Sequence, residues 1–312
     1  MLQHAAPVTV LDKFGMTKPM PKNKGVAIKF RRPKPFPAAT TPLVEGVTPP
    51  STAFAYEDVS TRLNQFGDVV SHTDVIQDTH EDPVLNDMLL QAGENIGRTS
   101  EALNFAVLRA GTSVFYGNGS SRAEVNTPLS KNKLRAVTRF LMAQKAKRIS
   151  RILDGSVDHN TTPVESAWVA VGHTDLESDI RELPGFIPTA QYGSRKVVSE
   201  HECGTVKNIR FVLSPDLPPW EDTGGAHGGA VFSTGGSNAD VYPLLVFGKD
   251  AYATVPLRGQ GAVSPAIISA GQKTKDDPLG QRGYLGWKMW HAAVILNQSW
   301  MARLEVAASS LD

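Results

Sequence analysis

The chain has 312 residues, with 32 Lys plus Arg against 31 Asp plus Glu, so its formal net charge is only +1. That balance excludes a strongly basic nucleic-acid binder for the chain as a whole, and the length favours two compact units over one. Hydrophobic residues make up 41% and charged residues 20%, a globular composition and not a disordered one. Cys203 is the single cysteine, which excludes an intrachain disulfide and any multi-cysteine metal site. The 27 glycines and 21 prolines exceed the roughly 12% of an average domain and argue against a plain helical bundle. Apolar runs such as Ala292 to Leu296 fall far short of the ~18 residues that span a bilayer. The start, MLQHAAPVTVLDKFG, lacks the basic region and long apolar core of a secretory signal.

Residues 1–24 read as an extended arm, because Pro7, Pro19 and Pro21 interrupt any helix. Val26, Ile28 and Phe30 then alternate with Ala27, Lys29 and Arg31, the period of a strand. Six prolines fall between Pro33 and Pro50, and Phe54 and Tyr56 open a second extended run. Residues 25–71 are therefore predicted to form a long β-hairpin with a proline-stiffened tip. A two-stranded ribbon is marginal in water, so it needs a surface to lie on, and a neighbouring subunit is the candidate. Asp82-Pro83 is a strong helix start. Leu85, Leu89, Ala92, Ile96, Leu103 and Ala106 continue it as an apolar stripe to a stop at Gly111, so a helix of roughly 40 Å is expected over 83–110. Gly93 and Gly97 would let another backbone approach it. A further helix after Thr127-Pro128 has Leu134, Val137 and Leu141 as its stripe. Trp168 to Val171 is a buried strand, and a capping box at Thr174 and Glu177 starts a short helix carrying Leu176, Ile180 and Leu183. Strands follow at Ile209 to Leu213, Val241 to Phe247, Ala251 to Val255 and Ala266 to Ile268. Trp287 to Leu296 and Trp300 to Val306 flank Asn297-Gln298-Ser299 and read as a final hairpin.

Two segments carry no acid. Lys13 to Val44 holds Lys13, Lys18, Lys22, Lys24, Lys29, Arg31, Arg32 and Lys34; Val125 to Leu153 holds Lys131, Lys133, Arg135, Arg139, Lys145, Lys147, Arg148 and Arg151. Each block is either a solvated face or a contact for an acidic neighbour or nucleic acid. No cluster has the spacing that catalysis requires. Asp78-Thr79-His80-Glu81-Asp82 is contiguous, and adjacent side chains seldom converge on one ion. His201-Glu202-Cys203 is an incomplete metal site. Tyr116 to Ser121 does not match a nucleophile elbow. The glycine-rich stretches Thr223 to Gly229 and Ser233 to Asn238 lead into a strand and not a helix, so they read as mobile surface loop and not as a phosphate cradle. No catalytic residue, metal or cofactor is expected.

Several segments, in order along the chain, resemble the major capsid proteins of tailed phages, in the podophage-type subfamily with the Hong Kong 97 type coat fold. They are PMPKNKGVAIKFRR (19–32), PAATTPLVEGVTP (37–49), TDVIQDTHEDPVL (73–85), DLESDIRELPGFIP (175–188), ADVYPLLVFGKDAYATVPL (239–257), DPLGQRGYLGWK (277–288) and WMARLEVA (300–307). Relatives generally carry further sequence ahead of the stretch matching Leu2 to Phe14. The resemblance implies an α+β fold: an N-terminal arm (1–24), an extended loop (25–71), a peripheral domain (72–164) crossed by a spine helix (83–110), an axial domain (165–270), and a return to the peripheral domain (271–312). It implies that Lys24, Lys29, Arg31, Arg32, Thr41, Leu43, Glu45 and Val47 of the loop meet an adjacent subunit, and that Leu85, Leu89, Ile96 and Leu103 are the core face of the spine. The signature segment supplies Asp277, Pro278, Gly280, Gln281, Arg282, Gly283 and Trp287. The implied role is a coat subunit forming hexameric and pentameric capsomers of an icosahedral virion shell around double-stranded DNA, assembled in the bacterial cytoplasm. Implied partners are further copies of itself, packaged DNA, a portal, and scaffolding or decoration proteins, with no membrane. An encapsulin-type nanocompartment shell shares this fold and is the alternative; a metal-dependent enzyme using the His/Asp segments is a remote one.

Overall fold

A computed structural model describes residues 8–23, 25–79, 84–153, 161–193, 195–257, 263–273 and 277–311. In chain order its elements are β1 (Met16–Thr17), β2 (Ala27–Pro33), β3 (Tyr56–Arg62), β4 (Asn64–Thr73), α1 (Asp74–Thr79), α2 (Val84–Leu108), β5 (Val114–Tyr116), α3 (Lys131–Ala143), β6 (Ile149–Leu153), β7 (Thr161–Gly172), α4 (Glu177–Arg181), β8 (Phe186–Pro188), β9 (Glu202–Val206), β10 (Ile209–Leu213), β11 (Tyr242–Phe247), β12 (Tyr252–Thr254), β13 (Val263–Ile268), β14 (Arg282–His291), β15 (Ala293–Ile295) and β16 (Met301–Val306). This is the α+β class expected.

The body is an eight-stranded mixed sheet in the order β5-β16-β11-β7-β10-β9-β8, with β6 paired to β7. Every residue of β10, β11 and β16 is buried. Their apolar runs do not alternate because both faces of the sheet are covered. On one side Leu134, Val137 and Leu141 of α3 and Leu176, Ile180 and Leu183 around α4 pack with Phe211, Leu244 and Leu304. On the other, Val10, Leu11 and Phe14 and the end of α2, Phe105 and Leu108, pack with Val171, Leu245 and Phe247. A second, three-stranded sheet has the order β13-β14-β4. Leu285, Trp287 and Met289 alternate as its buried residues, and α2 packs along β14 and β15.

The structure corrects several expectations. The described part of the predicted arm, from residue 8 on, packs on its own chain: Val10, Leu11 and Phe14 are core residues, β1 pairs in parallel with β12, and Met20 bridges to Leu257. The hairpin is β2 with β3, in register from Ala27↔Arg62 to Pro33↔Tyr56, so it ends at Arg62 and not at 71. Beyond buried Leu63 the chain returns to the second sheet, where β4 pairs with β14. The final hairpin is absent. β14 joins β13 and β4, β15 joins β12, and β16 joins β11 and β5. The turn at Asn297 carries the chain from one sheet to another, with Asn297 Oδ1 accepting from Ser299 N and Gln298 Oε1 from Thr112 N.

The long helix is present as α2; its predicted start, Asp82-Pro83, lies outside the described residues. Its core face is not the predicted one. Leu89 is 42% exposed, Leu85, Ile96 and Leu103 are half-buried, and Gly93 faces open space. The fully buried residues are Glu101, Asn104, Phe105 and Leu108, spaced i, i+3, i+4, i+7. Only the last turns of α2 enter the two-sided core, and the residues there include two polar ones that hydrophobic periodicity skips. The expected capping box does not start the short helix: a 3-10 turn over Thr174–Leu176, capped by His173 Nδ1 accepting from Asp175 N, leads into α4, which has no side-chain cap of its own. The glycine-rich stretch is tied down: buried Asp240 accepts from Asp222 N and from the N–H and hydroxyl of Thr234.

Candidate subunit interface

The hairpin is anchored at its base and bare at its tip. Ile28 and Phe30 point inward and cluster with Met20, Leu63, Ala253, Val255 and Ala292. Every residue from Pro33 to Asp58 is exposed. The tip includes Phe36, Leu43, Val44, Val47 and Phe54, with Leu43 79% exposed. Its shape comes from its own sequence. Phe36, Phe54 and Tyr56 form a ring ladder with centroids 5.9 and 4.7 Å apart. A tight turn from Val44 to Val47, closed by a 3.2 Å backbone bond, needs Gly46 at φ +76°. Thr41 and Glu45 stand exposed beside it.

The loop cations behave differently from the tip. Lys24 lies outside the described residues. Lys29 and Arg31 pair with Asp58, at 3.3 and 2.8 Å, and Arg32 with Glu57 at 2.8 Å. The hydrogen bond from Arg31 holds the Asp58 carboxyl below its usual range. Such exposed pairs add little to stability. They set three cations of the first basic block against two acids at the base of the hairpin, and the exposed apolar residues lie beyond them at the tip.

The signature segment is a structural turn. Asp277 Oδ1 accepts from Gly280 N at 3.1 Å and Oδ2 from Arg282 N at 2.8 Å. Desolvation opposes ionisation of Asp277, but hydrogen bonds from the Arg282, Gln281 and Gly280 amides outweigh it and hold the carboxyl below its usual value. Gly280, at φ +71°, abuts the backbone of Gly271, and the Gln281 carbonyl accepts from Asp74 N at 2.9 Å, where α1 begins. Gly283 sits opposite His72 in the β14–β4 ladder, and a Cβ there would overlap the imidazole. Trp287 is buried, while Pro278, Gln281 and Arg282 are exposed.

Two buried joints went unread in the sequence. Glu101 of α2, 1% exposed, accepts from Val10 N and Leu11 N at 3.0 Å each, and Tyr252 donates its hydroxyl to the Leu11 carbonyl. Asp12 accepts from Ser100 and Asn104, and Asn104 meets His291 at 2.9 Å. These bonds dock residues 8–14 onto α2. Glu305 of β16, also buried, takes a two-pronged bond from Arg122 at 2.8 and 2.9 Å and pairs with Arg303 at 2.8 Å. The Arg122 guanidinium stacks 3.5 Å from the Trp220 ring centre. An acid at a helix core position, three residues from an Asn, was the available signal for the first joint.

A family model described as phage capsid protein matches residues 56–304. The chain belongs to that family. The major capsid protein of Pseudomonas phage KPP21 is 20% identical, over 79% of this chain and 67% of that protein. Among solved structures, the capsid of Ralstonia phage GP4 superposes with a TM-score of 0.69 at 13% identity, covering 100% of this chain and 96% of that one. The capsid of cyanophage P-SCSP1u gives 0.61 at 17% identity, covering 99% and 91%. The architecture is therefore the α+β coat fold of phage capsid proteins, and the family favours a phage coat over a nanocompartment.

As a phage capsid protein the chain is a structural component of the virion shell. Among the described residues no group of three or more His, Cys, Asp or Glu is placed to hold a metal ion, and no helix is long and apolar enough to cross a membrane. His80, Glu81 and Asp82 lie outside the described residues. Burial pushes the Cys203 thiol of this capsid protein up to about 12, so it stays protonated at neutral pH.

Proposed function

We propose that the protein is a major coat subunit that assembles with copies of itself into hexameric and pentameric capsomers, closing an icosahedral head around double-stranded DNA. In this reading the hairpin tip lies on an adjacent subunit, α2 is the spine of a peripheral region built on the three-stranded sheet, and the eight-stranded body forms the axial region at the capsomer centre. Assembly takes place in the bacterial cytoplasm, with a portal and scaffolding or decoration proteins as further partners. The protein works without catalysis, metal or cofactor; its task is geometric.

The observation that carries this is the hairpin tip, where five large apolar side chains stand exposed on a ribbon whose Lys29, Arg31 and Arg32 already pair with its own Asp58 and Glu57. A ribbon of this kind gains stability only by lying on another surface. Contacts made by such a tip repeat around a capsomer, so a small loss at each multiplies. Replacing Pro33 to Ser51 with a short glycine linker should leave a subunit that folds and melts cooperatively by circular dichroism. The same sample should sediment as free subunits or as fragile shells. Normal closed shells from the variant would refute the loop's role, and an unfolded variant would place the loop in the subunit's own core.

A further inference from the structure

The two basic blocks of the sequence have opposite fates. In the hairpin, Lys29, Arg31 and Arg32 face Asp58 and Glu57 across the ladder. On α3, Lys131, Arg135 and Arg139 follow at i, i+4 and i+8, which puts them on one side of the helix, opposite the buried stripe Leu134, Val137 and Leu141. Among the described residues none of the three has a carboxylate within ion-pair distance. Lys207, in the β9–β10 turn, joins them. Desolvation, then repulsion from Arg135 and Lys131, holds its ammonium below the usual lysine value. Lys207 thus lies beside Lys131 and Arg135, with Arg139 one turn further along the same side of α3, and no acid occurs from Val125 to Leu153 to relieve them.

We propose that this side of α3, together with Lys207, is a sequence-independent contact for the phosphodiester backbone of duplex nucleic acid. Successive cations on the helix rise by about 6 Å, so the three span roughly 12 Å. Duplex DNA presents one phosphate charge per ~1.7 Å of axis, so several phosphates lie within that reach. The chemistry favours phosphate over an acidic protein. Protein interfaces are anchored by aromatic and apolar side chains with arginine among them, and are depleted in lysine, whereas here the cations stand without an exposed aromatic anchor beside them. Besides its two arginines, the exposed residues of α3 are Asn132, Met142 and Ala143, with no exposed aromatic ring. The lack of an aromatic platform also points to backbone contact and away from stacking on single-stranded bases. With a net charge of +1, the rest of the chain adds no grip, so the contact is weak and local. This rests on the coat-shell reading and names what the patch of that shell would touch.

The test is fluorescence anisotropy of a labelled 30-base-pair duplex with the purified full chain across a salt series, using wild type and a Lys131→Gln/Arg135→Gln/Arg139→Gln variant. Polyglutamate serves as a competitor, circular dichroism as the folding check, and sedimentation as the assembly check. Four phosphate contacts give a log K against log salt slope of about −3.6, and removing three should reduce it to about −1, with most low-salt affinity lost. A Lys207→Gln variant should lower the slope by about one on its own. Equal binding by wild type and the triple variant overturns the proposal, as does no duplex binding at the lowest salt. Polyglutamate outcompeting the duplex at equal charge overturns it in favour of an acidic protein partner. A folded triple variant that no longer assembles makes the patch a subunit contact and overturns the proposal while leaving the shell reading intact. A variant that assembles but loses duplex binding supports it.

Discussion

Substituting Glu101→Gln should abolish a defined part of the subunit's pH dependence. Glu101 is buried where residues 8–14 meet α2, and burial pushes its carboxyl up to about 7 from a usual 4.5. Hydrogen bonds from Val10 and Leu11 pull it back, and the charges of Asp12 and Asp216 add to the rise. A raised folded-state value means that the folded subunit prefers the protonated acid. The contribution to stability is complete below pH 4.5 and is lost as pH rises through about 7. At 1.36 kcal/mol per unit, the total is about 3 kcal/mol, most of it falling between pH 5 and pH 8. Gln keeps a carbonyl acceptor for the two amides and never ionises, so it mimics the protonated acid throughout. His291, in the same cluster, has its value lowered by burial, and its contribution runs the opposite way, weakening the fold as pH falls below the usual 6.5. The readout is therefore the difference between variant and wild type at each pH, taken from urea unfolding of the unassembled subunit at pH 5, 6, 7 and 8. The variant should match wild type near pH 5 and exceed it by about 2–3 kcal/mol at pH 8. Parallel curves, or a variant destabilised equally at every pH, would show that an ionised carboxylate is what holds the N-terminal segment, and the linkage would be wrong.

Two further substitutions probe packing. Leu89→Asp falls on an exposed turn of α2, so the isolated subunit should lose about 0.5 kcal/mol or less in urea unfolding. Leu108→Ala, in the two-sided core, should cost about 2–5 kcal/mol. Similar losses at both sites would mean that the first turns of α2 are buried after all. Gly283→Ala forces a methyl group into the His72 ring and should destabilise by about 1–3 kcal/mol. Adding His72→Ala should recover part of that loss. A double variant no better than the sum of the singles would show that the ring is not the obstacle.

Where one residue type dominates a stretch, the sequence could be read directly. The uniform apolar runs of β10 and β11 and the stripe of α3 emerge as expected. The hairpin was visible in the alternation of Ile28 and Phe30, and its ion pairs follow from the register, which sets Arg31 against Asp58 and Arg32 against Glu57. What escaped depends on distant partners. Val10, Leu11 and Phe14 look like arm residues until the end of α2 and β12 arrive to cover them. The sequence reading begins this strand at Trp287, whereas β14 begins at Arg282, and Gly283 within it makes room for His72, more than two hundred residues away. The loop residues Thr41, Leu43, Glu45 and Val47 were singled out by the resemblance, and in the structure each is exposed.

Electron microscopy of the purified protein decides between a coat subunit and a self-contained one. Closed, hollow particles built from hexameric and pentameric units are the expected image, with the glycine-linker variant giving free subunits under the same conditions. A wild-type chain that remains a uniform monomer or small oligomer, unchanged by replacing the tip, would contradict the assignment of the hairpin as the element that joins one subunit to the next.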